Sequence, residues 1–353
     1  MPWLSLDICG FDSGKLPSPA NMSRFIKILK REKEEAKQIF EEIVKQLYTE
    51  IPDFGKDLAI DSKWVWSKAN RRSKKKALDG RSEHEASWGV KEYKGVREDG
   101  SIWSRTEKCF GFKLHTIVEA NYELPVACSI STAAASDVTE GKALILTFEK
   151  NASAIIEKCR HLMADKGYDD TDLILTLKGQ GIKAIIDKRS MWKTEDEKEV
   201  HGYKGIYYNE QGEVFCYSPE NGERHRMIPA GYDSSRDTLR LKCPVNAYSA
   251  SCREAETCTH CKMIRVPLHE DERIFTQIAR PSYKWKRLYN KRSSVERVFS
   301  RLDVSFGFEA RRSRGKAKME LISLLGLIVM NAVALGRYRQ KKPKLMRSLV
   351  TAA

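Results

Sequence analysis

Leu162-Met163-Ala164-Asp165-Lys166-Gly167-Tyr168-Asp169 decides how this chain is read. Three apolar residues predict a short strand, the glycine marks a turn, and Asp165 lies where one meets the other. That placement exposes a carboxylate at the end of a sheet, within reach of a metal ion. Two further acids match it. Asp61 ends the strand-like run Asp57-Leu58-Ala59-Ile60-Asp61. Glu296 lies in Tyr289-Asn290-Lys291-Arg292-Ser293-Ser294-Val295-Glu296-Arg297-Val298-Phe299, a basic stretch with helical spacing.

Outward from the turn, Asp170 or Thr171 caps a helix running to about Lys178, and Lys183-Ala184-Ile185-Ile186 is one more strand. Upstream, Leu58 to Val65 is a first strand, and residues 67–105 are polar enough to predict a long loop. Phe110 to Val118 alternates as a half-buried strand does; Pro125 to Ser131 suits its partner, with Asn121-Tyr122-Glu123 in the turn. Asp137, with Glu140 three residues on, predicts the N-cap of a helix from Val138 to about Asn151. Strands come first, then helix and strand alternate, which is the order of an α/β mixed sheet flanked by helices. Residues 190–280 break that order with short alternating segments and turns, such as Tyr207 to Tyr217, and read as a β-rich insertion. Pro281 then opens a helix to about Leu302, and a last apolar helix spans Lys318 to Arg337. Before all this, residues 1–20 read as a loose arm and 22–49 as one amphipathic helix ended by Pro52. The expected division is 1–55, an N-terminal helical segment; 56–189, a first part of the core; 190–280, the insertion; 281–340, helices completing the core; and 341–353, a basic tail.

Lys and Arg number 63 against 48 acids, a formal charge of +15 that points to a polyanionic partner, most simply nucleic acid. The basic residues are clustered, in Arg71-Arg72-Ser73-Lys74-Lys75-Lys76, Arg311-Arg312-Ser313-Arg314-Gly315-Lys316 and Lys341-Lys342-Pro343-Lys344. Phosphate contacts by such blocks are strongly salt-dependent. No basic region followed by an apolar run opens the chain, so no secretory signal is expected. The longest apolar stretch, Leu321 to Leu335, is 15 residues, short of the ~20 a membrane span needs; a buried helix and no membrane partner are expected. The nine cysteines are then reduced, in a cytosol or nucleoid setting. Cys243, Cys252, Cys258 and Cys261, with His260 beside the last, make two thiolate pairs in a core-poor stretch. Only Cys258-Thr259-His260-Cys261 is a tight knuckle. Structural Zn²⁺ and reduced cysteines packing a small β unit stand as equal alternatives.

Breaking or joining a phosphodiester requires charge to be neutralised on both the attacking and the leaving oxygen. Two divalent ions ~3.5–4 Å apart do this, held by carboxylates, and Mg²⁺ prefers such oxygen ligands. Two strand-end aspartates and a glutamate on a basic helix meet that requirement. Singly, each has an ordinary reading, as a turn or cap residue for Asp61 and Asp165 and a solvated ion-pair partner for Glu296. Tyr289, Arg292 and Glu296, spaced by three and four, share one helix face. There Arg292 can hold a DNA phosphate in a bidentate contact, the alternative being a surface pair worth under ~1 kcal/mol. Lys166 beside Asp165 either faces phosphate or is simply solvated. His115 is expected to be packed, and so, in the main, are Trp192 and Trp285.

The chain resembles the DDE transposases of bacterial insertion sequences, whose catalytic core is ribonuclease-H-like. The markers are Ala59-Ile60-Asp61-Ser62; Phe112-Lys113-Leu114-His115 followed by Pro125-Val126; Ala164-Asp165-Lys166-Gly167-Tyr168; Tyr289-x-x-Arg292-x-x-x-Glu296 with Phe299 and Arg301; and Ile328-x-x-Asn331-Ala332. They run from about residue 55 to 338. The resemblance implies that Asp61, Asp165 and Glu296 are the catalytic acids and hold two Mg²⁺ or Mn²⁺ ions. It also implies cleavage at the element's terminal inverted repeats and transfer of the 3′-hydroxyl into target DNA, by a homodimer in a synaptic complex. Related sequences carry a lysine seven residues after the glutamate; here Asp303 stands there, and Arg301 is the expected substitute for its phosphate contact. The alternatives are a stand-alone two-metal nuclease and an inactive zinc-containing DNA-binding remnant.

Overall fold

A computed structural model of the chain describes residues 18–68, 83–192, 197–218, 222–245, 263–309 and 314–349. Its centre is a mixed sheet built from β1 (Asp57–Trp66), β2 (Ser87–Val96), β3 (Ile102–Glu119), β4 (Leu124–Thr132), β5 (His161–Ala164) and β6 (Lys183–Ile186). β3 is antiparallel to β1, β2 and β4, whereas β5 runs parallel to β1, and β6 parallel to β5. The spatial order β4-β3-β1-β5-β6 is the ribonuclease-H-like arrangement, with β2 added alongside the first half of β3. β1 lies at the centre, and its first four residues, Asp57 to Ile60, are all buried.

Helices cover both faces. α1 (Pro19–Arg31) and α2 (Lys33–Glu50) come first, and α3 (Asp137–Asn151) and α4 (Ser153–Lys158) follow β4. α5 (Thr171–Gly179) connects β5 to β6. α6 (Tyr283–Tyr289), α7 (Ser293–Phe306) and α8 (Lys316–Arg339) close the fold. The single helix expected over 22–49 is broken at Glu32, whose ψ of 36° leaves the helical range. α1 buries no residue, while α2 buries Ala36, Phe40, Val44 and Leu47 at helical spacings. The cap of α3 is Ser136, whose hydroxyl accepts from the Thr139 amide, and not Asp137, which is engaged by Ser62 and Lys113. Likewise Ser282 caps α6, so Pro281 precedes the helix instead of opening it. α8, apolar and long enough to cross a bilayer, packs on α2 and β4. Its buried Asn331 donates to the Pro125 carbonyl at 2.8 Å, satisfying an acceptor on the open edge of β4. The N-terminus of α8 is held by acids from before β2: Gly315 N–H donates to Glu83 and Lys316 N–H to Glu85.

The 67–105 stretch is no simple loop. β2 and the first half of β3 form a two-stranded arm, with Val96 opposite Ile102 near its tip. The arm lies beyond the core, so its apolar residues Trp88, Val90, Tyr93, Val96 and Ile102 stand exposed among charged ones, with no buried face to impose an alternation. Cross-strand packing holds it: Trp88 lies 5.4 Å from Phe110, and the Trp103 indole covers Gly95.

Between β6 and α6 run β7 (Lys198–Glu199), β8 (Ile206–Tyr208), β9 (Val214–Tyr217), β10 (Arg224–Arg226), β11 (Ile228–Asp233), β12 (Thr238–Lys242) and β13 (Met263–Pro267). They form two small antiparallel sheets around a hydrophobic cluster of their own, including Ile206, Tyr208, Leu239, Leu241, Val266 and Phe275.

Gly141 shows how closely the central sheet is covered. A Cβ there would meet the Tyr168 ring at 2.6 Å and Ile60 at 3.5 Å, and Tyr168 is fully buried. Alanine is preferred to glycine within a helix by about 1 kcal/mol, but displacing a packed ring costs about 1–3 kcal/mol. Gly141→Ala is therefore expected to lower the urea midpoint without changing the m-value; a raised midpoint would mean that the ring moves freely.

Candidate active site

Asp61 and Asp165 are brought together by sheet register. Leu58 pairs with Leu162 and Ala59 with Met163; two residues further along each strand, Asp61 stands beside Asp165, one strand spacing (about 4.8 Å) away. The local chain then aims each carboxylate. Asp61 Oδ1 accepts the Ser62 N–H at 2.7 Å, and Asp165 Oδ1 accepts the Gly167 N–H at 2.7 Å. Gly167 is needed for closeness, because a Cβ at that position would lie 2.7 Å from the Asp165 carboxylate oxygen.

Glu296 approaches from α7, which packs across β1 and β3. Between α6 and α7 the helix tightens into a 3₁₀ turn, Asn290–Arg292, of the kind that often marks functional positions. Arg292 leaves this turn and bridges two acids: Nη1 donates to Asp61 Oδ2 at 3.1 Å and Nη2 to Glu296 Oε1 at 2.7 Å. Its guanidinium carbon lies 5.8 Å from the centre of the Tyr289 ring, so the three residues do share one face. Tyr289 is stacked on Trp285 at 4.8 Å and 11°. As the side chains stand, no three His, Cys, Asp or Glu among the described residues form a metal-binding group: the guanidinium fills the space between Asp61 and Glu296.

The electrostatics agree with this crowding. Burial, and then the charge of Asp165, push the Asp61 carboxyl up to about 7, against the Ser62 N–H and the Arg292 charge. Burial raises the Tyr168 hydroxyl far above its usual range, and the neighbouring charges of Asp61, Asp137 and Asp165 add to the effect. A fourth acid escaped the sequence reading. β6 pairs with β5 through Ala164 and Ile186, so Asp187 follows in register beside Asp165. The signal was present, since an apolar run ending in aspartate repeats the pattern of residues 162–165.

Other expected site residues fall into place less uniformly. Lys166 is exposed beside Asp165. Arg301 is turned away: its guanidinium donates to the Glu123 carbonyl and to that of Arg347, at the β3–β4 turn. Asp303 is paired with Lys63 at 2.5 Å, and Lys63 also reaches Glu309 at 2.6 Å. A lysine thus does stand at this place, supplied by β1 two residues after Asp61 and neutralised by two acids. His115 is packed and fully buried; its Nε2 is 2.7 Å from the Ser131 hydroxyl, and burial lowers its pKa to about 4. Trp192 packs edge-on against Tyr208. Cys243 is a free thiol, whereas Cys252, Cys258 and Cys261, like the 71–76 basic block and residues 311–313, lie outside the described residues.

The turn after Asp165 ends in a buried charge network. Arg273 donates to Asp169 at 2.8 Å and to Glu210 at 3.0 Å. Burial alone would raise the Glu210 carboxyl, but the Met191 amide, Arg273 and the Trp192 amide outweigh it and hold it at about 2. Its folded pKa lies below the unfolded value near 4.5, so this stabilisation is present above that value and is lost as pH falls towards 2. Glu210→Gln is expected to flatten the loss of folding stability between those limits; an unchanged acid limb would show the carboxylate to be unpaired in solution.

A family model for the transposase DDE domain matches residues 68–332. The chain belongs to the transposase DDE domain family. The match includes Asp165 and Glu296, while Asp61 lies seven residues before it and joins them through the sheet register. Comparison with curated proteins gives no match. Among solved structures, the chain is similar to a transposase in a cryo-EM structure of a piggyBac transposase synaptic complex with hairpin DNA, at 12% identity and a TM-score of 0.35. The similarity covers 83% of this chain and 51% of that one, so the chain spans about half of its neighbour's length.

Proposed function

We propose that Asp61, Asp165 and Glu296 hold two divalent ions, Mg²⁺ or Mn²⁺, with which this transposase cleaves DNA at the ends of its own insertion element and joins the freed 3′-hydroxyl to target DNA. The observation that carries this reading is the bridge from Asp61 through Arg292 to Glu296, with Asp165 on the adjacent strand. The residues fit such ions. The donors are carboxylate oxygens, which hard cations prefer; two of them repel one another at close range; and a cationic side chain already lies between two of the three. When bound, the ions supply Lewis-acid neutralisation of the attacking and leaving oxygens.

The chain's own residues do the rest. The amides of Ser62 and Gly167 fix one oxygen of each aspartate. Arg292, released from its two acids, reaches a DNA phosphate with the same fork of donors. One residue thereby neutralises the carboxylates without substrate and the phosphate with it. Tyr289, braced by Trp285, flanks that phosphate, and the exposed Lys166 meets another. Water attacks phosphorus directly and displaces the 3′-oxygen of the element end, and that 3′-hydroxyl then attacks a target phosphorus and displaces a 3′-oxygen of the target strand. The Ser62 hydroxyl is committed to Asp137 at 2.8 Å and takes no nucleophilic part. The partners are duplex DNA, both terminal inverted repeats and target, with two copies of the chain in the synaptic complex, in the bacterial cytoplasm at the nucleoid. The formal charge of +15 supports the choice of a polyanion.

The test is incubation with duplex DNA carrying the element's ends, in Mg²⁺ or Mn²⁺, followed by a pre-cut donor bearing a free 3′-hydroxyl. Cleavage together with joined product is expected. Cleavage without joining would leave a nuclease, and end DNA bound but unchanged would leave a DNA-binding protein.

A further inference from the structure

The turn that carries Asp165 is gripped from outside the sheet strands. Arg189 Nε donates to the Lys166 carbonyl at 2.8 Å, and its Nη2 donates to the Gly167 carbonyl at 2.5 Å. The Lys166 carbonyl and the Gly167 N–H are the two ends of one peptide unit, and that N–H is the donor to Asp165 Oδ1. Arg189 therefore holds, by its carbonyl, the same peptide that orients the carboxylate. A cationic donor on the carbonyl also polarises the peptide and strengthens its N–H as a donor.

Arg189 is itself fixed. Its backbone N–H donates to Asp169 Oδ2 at 2.8 Å, and its carbonyl accepts from Arg273 Nη1 at 3.0 Å. Arg273 lies between β13 and α6, and joins Asp169 to Glu210, which stands between β8 and β9. Glu210 in turn accepts the amides of Met191 and Trp192, at 2.6 and 3.1 Å. The chain of contacts is continuous from the β-rich unit to the Asp165 carboxylate.

We propose that Arg189 is the positioning residue of Asp165, acting through the Lys166–Gly167 peptide, and that Arg273 and Glu210 tie this grip to the β-rich unit. The proposal rests on the reading of Asp165 as an ion-holding carboxylate. Groups that orient a ligating carboxylate without touching the ion change metal affinity or activity by about 10–100-fold when removed. Arg189 is exposed and leaves no buried charge behind, so Arg189→Ala is expected to keep the wild-type melting temperature.

Mn²⁺ binding to the full chain, followed by electron paramagnetic resonance, tests the idea without relying on turnover. Arg189→Ala is expected to weaken binding about tenfold or more. Arg189→Lys, which keeps one charged donor, should fall between, and Glu210→Gln should weaken binding by a smaller factor. Cleavage by Arg189→Ala should recover as Mg²⁺ is raised, which a damaged fold would not allow. Wild-type affinity in Arg189→Ala, with binding lost in Asp165→Ala, overturns the positioning role alone. Unchanged binding in Asp165→Ala overturns the ion site and the proposal with it. Wild-type affinity in Glu210→Gln overturns the tie to the β-rich unit.

Discussion

Asp165→Ala is expected to abolish strand cleavage and joining while the chain stays folded. Asp165 is one residue beyond β5, part-exposed, and its carboxylate makes one hydrogen bond to its own turn. Removing it costs the fold little, and it relieves the repulsion on Asp61. For the chemistry the loss is large. Neutralisation of the transition-state charge by bound ions is worth several kcal/mol, and each ~1.4 kcal/mol is a factor of ten in rate. A fall of about a thousandfold or more follows. It is read from cleavage of end-bearing duplex DNA in Mg²⁺, with an unchanged circular dichroism melt as the control for folding. A variant that cleaves within tenfold of wild type would remove Asp165 from the reaction.

Arg273→Met is expected to have the opposite profile, with a large loss of stability. The side chain of Asp169 has no exposed surface and that of Glu210 has 8%, and Arg273 neutralises both. Methionine fills a similar apolar length but takes the ion pair from buried Asp169 and leaves Glu210 with Lys188 alone, at 3.7 Å. Breaking a buried pair on one side costs about 3–5 kcal/mol. Chemical denaturation should show that loss. Adding Asp169→Asn should then recover part of it, because one of the stranded charges is removed; the two changes are in contact and will not add. A loss below about 1 kcal/mol would mean that water reaches the network.

Much of the central sheet was legible because its strands obey simple rules. Leu162 to Ala164 and Lys183 to Ile186 are short runs between turn signals, and β1, β4 and the second half of β3 were expected to within a few residues, whereas β3 begins at Ile102, eight residues before its expected start. What failed to show was anything whose cause lies elsewhere in the chain. β2 was missed because a strand outside the core needs no apolar alternation, only partners across the ladder. Asp137 satisfied the pattern for a cap but was claimed by Lys113, 24 residues away, leaving Ser136 to do the capping. At the site, the spacing of Tyr289, Arg292 and Glu296 revealed their shared face, yet not that Arg292 would reach back across 231 residues to Asp61. Arg301 looked like a phosphate ligand by position and is committed to a backbone carbonyl. The two arginines that brace the Asp165 turn carried no local signal, because each is defined by the carbonyls and carboxylates it meets.

The order in which this polypeptide is synthesised gives the position of Glu296 a further meaning. Asp61 and Asp165 leave the ribosome early, but the helix bearing Glu296 follows the whole β-rich unit, and α8, whose Asn331 closes the rim of β4, comes after it. A nascent or prematurely released chain carries two acids without the third and an open strand rim. On the proposed assignment of the three acids it would lack the complete ion-holding set, and its bare rim would be open to pairing with another chain. Under that assignment, cutting competence would be confined to chains that already carry Glu296.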